Sequence, residues 1–216
     1  MRDKSRQRLG TIIMIIGAIL VIGAMALFVY NEYTDNAAGD SALDVVKQLN
    51  QSHTVTGHPV ISKEDSSSEL ELRPDIEVTP TPVPEMSVIT IDEYDYIGTI
   101  SIPELSIELP VMDMWRDDYD ALKISPVRYH GSVYTDDMVI AGHNYRSHFN
   151  PLHNASVGME VIFTDVEGYN YLYEIVEFET IEPTAITDMV EFDADLTLFT
   201  CTYGGSARFA VRCERK

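Results

Sequence analysis

Residues Thr11 to Tyr30 read Thr-Ile-Ile-Met-Ile-Ile-Gly-Ala-Ile-Leu-Val-Ile-Gly-Ala-Met-Ala-Leu-Phe-Val-Tyr, without one charged side chain. As a helix, such a run rises about 30 Å, the thickness of a bilayer's hydrocarbon core. A cleaved signal peptide would normally carry a shorter apolar stretch of roughly 7–15 residues, closed by a small-residue cleavage site. Here the run is longer, and the small-residue triplet Ala37-Ala38-Gly39 lies well beyond its end. The pattern predicts a retained single-pass anchor over 11–30. Arg2, Lys4, Arg6 and Arg8 precede it, and Glu32 and Asp35 follow it. The positive-inside rule then keeps residues 1–10 in the cytoplasm and sends the rest of the chain outside.

The chain is acidic, with a net charge of -20 over 216 residues. Setting aside the +3 of the first ten residues leaves -23 on the remainder. That balance excludes nucleic acid as a partner, because phosphates are neutralised by Lys and Arg. The two cysteines, Cys201 and Cys213, are too few for a disulfide-stapled scaffold. A chain of this length builds one ordinary domain plus attachments.

Residues 31–93 read as an extracellular stalk. Ser41 to Gln51 carries Leu43, Val46 and Leu49 at helical spacing and predicts a short helix. Beyond it, Ser66-Ser67-Ser68 and Thr79-Pro80-Thr81-Pro82-Val83-Pro84 have no usable periodicity. Proline at alternate positions blocks helix and sheet and favours an extended spacer.

From Tyr94 the pattern changes. Ile97 to Ile102 alternates and is β-branched, as a strand should be, and Pro103 stops it. Strands are also expected at Ile107–Val111, Met138–Ala141, Met159–Thr164, Tyr169–Phe178, Leu196–Cys201 and Arg208–Cys213, with a weaker one at Val133 and a helical turn over Asp117–Lys123. So many short strands, with so little helix, predict an all-β barrel or sandwich over 94–216.

The last two strands carry the chemistry. Side chains alternate along a strand, so Thr197, Phe199 and Cys201 share one face. Arg208, Ala210 and Arg212 share one face of the return strand, and Cys213 points the other way. If Cys201 and Arg208 face together, a Cys201–Cys213 bridge is geometrically awkward. Only a thiolate attacks, and a guanidinium beside a thiol favours that form and can bind an oxyanion. A histidine must then protonate the leaving amine. His130, His143, His148 and His153 are candidates. His143 is best placed, at the end of the 138–141 strand, with Gly142 allowing close backbone approach. His53 and His58 fall in the stalk. Arg212 is the competing arginine. The five-residue recurrence of His143, His148 and His153 is not a same-face helical spacing and does not support zinc.

Three segments carry a family resemblance: Tyr96-Ile97-Gly98-Thr99-Ile100-Ser101-Ile102-Pro103, Val139-Ile140-Ala141-Gly142-His143-Asn144, and Thr197-Leu198-Phe199-Thr200-Cys201 followed by Arg208. Together they resemble the sortases, cysteine transpeptidases of the Gram-positive cell surface. The resemblance implies an eight-stranded β-barrel with short helices that cleaves an LPxTG-like sorting signal between Thr and Gly. Cys201 would form a thioacyl intermediate, His143 would act as general acid and base, and Arg208 would hold the carbonyl or oxyanion. Thr200 and Asn144 would line the substrate site, and Glu179–Asp195 would form a recognition loop. Implied partners are surface proteins or pilins bearing the signal, with a peptidoglycan or pilin amine as acceptor. No cofactor is required, although calcium held by Glu160, Asp165, Glu167, Glu177 and Glu179 is an option known in some relatives. Gly-His-Asn and Ala207-Arg208-Phe209 lean toward a class B-like enzyme. Two alternatives remain open: a hydrolytic cysteine peptidase using the same residues, and a non-enzymatic membrane-tethered β-domain that binds a ligand.

Overall fold

A computed structural model describes residues 2–52, 60–61, 85–113 and 120–216; the side chains of 2–9, 52 and 60–61 are not included in that description. The serine run 66–68, the proline repeat 79–84, His53, His58 and the first three residues of the expected 117–123 turn lie outside the described residues. The chain divides into two compact units, residues 1–37 and 38–216.

The first unit is helical. It belongs to α1, which runs from Arg2 to Ser52. From Gly10 onward this helix is long and apolar enough to cross a membrane. Its large apolar side chains between Ile12 and Tyr30 are exposed.

The second unit holds the end of α1 and ten strands: β1 (Val60–Ile61), β2 (Ile89–Ile91), β3 (Tyr94–Ile102), β4 (Ile107–Met112), β5 (Val127–His130), β6 (Met138–Ala141), β7 (Glu160–Asp165), β8 (Asn170–Ile181), β9 (Leu196–Cys201) and β10 (Arg208–Arg215). Two short helices, α2 (Ala121–Ile124) and α3 (Ile186–Val190), sit in connections. Eight strands close on themselves in the order β3-β4-β5-β6-β9-β10-β8-β7, with β7 returning to β3. This is the closed eight-stranded barrel of the sortase-like reading, and closure removes the sheet edges. β1 and β2 are additions outside the ring, on β8 and β3.

The barrel interior is filled by side chains at alternate strand positions, such as Ile100, Ile140, Phe163, Tyr173, Leu198 and Val211, all essentially inaccessible. Gly98 makes the β3–β7 approach feasible. It has φ +155°, and a Cβ there would lie 2.1 Å from the Thr164 carbonyl oxygen. The weakest seam is between β4 and β5, which share the single pair Met112 and Val127. Ser125 reinforces it by donating its hydroxyl to the Pro110 carbonyl at 2.6 Å.

Three expectations need adjusting. β5 was not foreseen. Val133 lies in a turn, where it is buried rather than paired in a strand. The helical segment over 41–51 is the end of the continuous α1, and its buried face is Ala42, Val45, Val46 and Leu49, while Leu43 is exposed. Ala42 joins the main core; Val45 and Leu49 pack in a second cluster with Ile91, Tyr96, Met112 and Val127. Residues 38–52 are therefore part of the barrel's own packing.

Cys213 is wholly buried in the main core, both cysteines are free, and burial pushes the Cys213 thiol well above its usual 9.0. Two results should follow. Leu49→Ala should lower unfolding free energy by about 2–5 kcal/mol, because a buried leucine leaves a cavity when truncated. Urea unfolding of the detergent-solubilised chain measures this, and a loss below about 0.5 kcal/mol would mean the segment is not core. In native protein at pH 8, iodoacetamide should label one thiol, Cys201, with Cys213 reacting only after denaturation. Mass mapping that found Cys213 labelled first would contradict the burial.

Candidate active site

The geometry of the candidate site follows from strand register. β9 lies between β6 and β10. In the antiparallel β9–β10 pair, Cys201 stands directly opposite Arg208, Phe199 opposite Ala210 and Thr197 opposite Arg212. Directly opposed residues place their side chains on one face, with Cβ atoms about 4.5–5.5 Å apart. The sequence parity argument therefore holds, and the thiol and the guanidinium emerge together. Cys213 is opposite Leu196, five pairs away and in the interior.

β6 runs parallel to β9, with Ala141 beside Phe199. The ladder continues one step, since the Gly142 amide donates to the Phe199 carbonyl at 2.9 Å. His143 thus leaves the end of β6 at the level where Cys201 leaves the end of β9. Arg208 thus stands opposite Cys201 on one neighbouring strand, and His143 follows the end of the other. All three are half-buried. A loop at the C-terminal ends of two parallel strands is a usual place for chemistry.

The histidine's ring is held from its own loop. Tyr145 stacks on it at 3.8 Å between centroids, with the planes 24° apart. Phe149 donates its amide to the His143 carbonyl at 3.1 Å. The Phe149 ring lies over Gly142, where a Cβ would meet it at 2.2 Å, so the close approach expected at this glycine is used by a phenylalanine. Of the other described histidines, His148 is buried, His130 is exposed beside Asp137 at 3.7 Å, and His153 stacks on Tyr203 and tilts against Phe209.

Arg208 is only lightly engaged, reaching the Gly205 and Ala207 carbonyls at 3.4 Å. Its loop is shaped by Thr202, which pairs with Ala207, and by Gly204 and Gly205 at φ +85° and +73°. Arg212, the competing arginine, is fully buried and donates to four oxygens away from the thiol. Thr200 points to the opposite strand face, 1% exposed, and its hydroxyl has no hydrogen-bond partner among the described residues. Asn144 accepts a bond from Asn150 Nδ2 at 2.8 Å, and the same Asn150 nitrogen meets the Tyr203 hydroxyl at 3.1 Å. Asn150 thereby ties the loop after the histidine to the loop after the cysteine. Nothing in the sequence marked Asn150, Tyr145 or Tyr203, because their pairing depends on loop approach rather than on periodicity.

The 179–195 connection carries α3. Together with Val139, Ile181, Ala210, Tyr129 and Phe199, α3 forms a small apolar cluster on the strand face that bears Cys201 and Arg208. Among the described residues, no group of three or more His, Cys, Asp or Glu side chains is gathered to hold a metal. Four of the five carboxylates weighed for calcium have other contacts. Asp165 accepts from the Glu167 and Tyr169 amides, Glu179 pairs with Arg212, Glu160 lies near Lys216, and Glu167 accepts from Ser87.

Comparison with known proteins supplies the family. The Sortase domain model matches residues 100–216. Sortase C1 from Streptococcus agalactiae is 27% identical with a TM-score of 0.50, the match covering 59% of this chain and 70% of that one. Sortase A from Corynebacterium diphtheriae is 25% identical, also with a TM-score of 0.50, over 57% of this chain and 62% of that one. Neither supports the lean toward class B. No curated protein sequence matches significantly. With the thiol, imidazole and guanidinium at adjacent strand ends of a closed barrel, the chain belongs to the sortase family of cysteine transpeptidases.

Proposed function

We propose that this protein is a single-pass membrane sortase, its N-terminus cytoplasmic and its barrel outside, that cleaves an LPxTG-like sorting signal and transfers the protein to an amine. The acceptor would be a peptidoglycan cross-bridge or a pilin lysine, and the residues between the span and Ala38 would serve as the tether. The observation that supports the chemistry best is the register pairing Cys201 with Arg208 while β6 delivers His143 beside them.

In this reading the Cys201 sulfur attacks the carbonyl carbon of the signal's threonine, forming a C–S bond. Negative charge moves to the carbonyl oxygen, where the Arg208 guanidinium stabilises it. Collapse breaks the C–N bond, and the glycine amine leaves with a proton from His143. An incoming amine then attacks the thioester and gives its proton to His143. The C–S bond breaks and the thiolate is restored. Asn144, fixed by Asn150, orients the histidine loop and lines the substrate channel. Thr200, buried on the opposite face of β9, would support the nucleophile's strand from beneath and not touch the substrate.

Cleavage of a Leu-Pro-Ala-Thr-Gly peptide should fall below detection in Cys201→Ala. It should fall by about 10²–10⁴ in His143→Ala and by about 10²–10³ in Arg208→Ala, the usual range for a general acid–base and for an oxyanion donor. Single-turnover mass spectrometry should trap a thioacyl adduct on Cys201. Adding triglycine or an N-acetyl-lysine amide should convert product from acid to amide. Hydrolysed peptide alone at saturating amine would make the enzyme a peptidase, and cleavage surviving Cys201→Ala would end the thiol mechanism.

A further inference from the structure

Arg212 is a fully buried cation that the reaction above does not use. Its position is unusual: it lies on the same strand face as Arg208, four pairs further into the sheet, opposite Thr197. Its Nη1 donates to the Thr197 hydroxyl at 3.0 Å and to the Met189 carbonyl at 3.1 Å. Its Nη2 donates to the Asp188 carbonyl at 2.7 Å and to Glu179 Oε2 at 2.8 Å. The Phe192 ring lies 4.2 Å from its Cζ.

Four of these five partners belong to the connection between β8 and β9 or to the last turns of β8. Asp188 and Met189 are in α3, a five-residue helix whose final carbonyls have no intrahelical donor. Arg212 supplies that donor from the barrel wall. The guanidinium's planar fork is suited to this, since it aims parallel N–H bonds in fixed directions, which an ammonium cannot do. Apart from Met189, and Val190 and Ala185 packed against the small cluster, the connection is mostly exposed. Little else in the described residues holds α3 against the sheet.

α3 borders the strand face that presents Cys201. We propose that Arg212 is a positioning residue for substrate selection: by pinning α3 and Phe192, it fixes the wall against which the residues preceding the scissile bond are read. This rests on the transpeptidase reading and adds to it a division of labour between two arginines on one strand. Arg208 serves the reacting carbonyl, and Arg212 serves the wall. The expected signature is a change in KM and in sequence preference, with kcat and thiol reactivity retained.

The experiment uses the full chain in detergent, with Leu-Pro-Ala-Thr-Gly as reference peptide and a set varied at the leucine. The variants are Arg212→Lys and, from the wall side, Glu179→Gln and Phe192→Ala. The last two change partly exposed side chains, so they carry the test if Arg212→Lys fails to fold by thermal melting. The expected result is a KM raised roughly tenfold and flattened discrimination at the leucine position, as lost uniform binding predicts. Iodoacetamide labelling of Cys201 and kcat should stay within about threefold, and the pH profile should not move. Unchanged KM and preference in folded variants would overturn this inference alone. A fall in kcat at constant KM, or a shifted pH profile, would overturn it too, by placing Arg212 in the chemistry. No cleavage by the wild type would overturn the transpeptidase reading and this inference with it.

Discussion

Backbone pairing among β6, β9 and β10 is the constraint from which the site's geometry descends. Side chains on adjacent strands have no independent freedom of placement. Once the ladder is set, Cys201 must face Arg208, and the next residue beyond Gly142 must rise beside Cys201. A slip of one residue would reverse every face, burying the thiol and exposing the leucines. The rest of the barrel guards against that slip. Leu196, Leu198, Val211 and Cys213 are locked in the interior, and β9 has a neighbour on both sides. The parallel β6–β9 pair is possible only because β7 and β8 form the long crossover between them, and that crossover also closes the ring. The register of the candidate site and barrel closure are therefore one solution rather than two.

Where burial differs, chemically identical side chains take different roles. Arg208 and Arg212 share a strand and a face. The first sits at the loop's base with two long contacts to carbonyls, so its charge is available to a ligand. The second has been removed from water, and such a cation persists only when its donors are satisfied. Its two terminal nitrogens each donate to two oxygens, while the buried Nε has no partner among the described residues. The acidic partner Glu179 had been weighed as a calcium ligand; it balances this buried charge instead.

The sequence carried most of the frame. β6 and β9 lie where apolar alternation put them, with the same first and last residues, and parity along two strands was enough to set Cys213 apart, whereas Arg208 and Arg212 share a face and are told apart by register and burial. What periodicity could not carry is equally specific. β5, Val127-Arg128-Tyr129-His130, is too polar to announce a strand, and it is held by neighbours more than by its own pattern. In the 38–52 segment the buried stripe begins with Ala38 and Ala42, small residues that contribute little to an apolar signal, so the exposed Leu43 drew the helix's phase the wrong way. The Asn144–Asn150–Tyr203 link joins residues up to 53 positions apart and exists only after the loops have met.

The burial of Cys213 also governs how this enzyme meets oxidants. A thiolate oxidised to sulfenic acid is usually rescued when a nearby thiol condenses with it and is then exchanged away. Here the only other cysteine is protonated, packed among aliphatic side chains and turned to the opposite face of the sheet. The chain holds no resolving thiol of its own. Recovery of an oxidised Cys201 thus depends on a reductant that can reach its half-buried thiol, and that degree of exposure determines which reductants qualify.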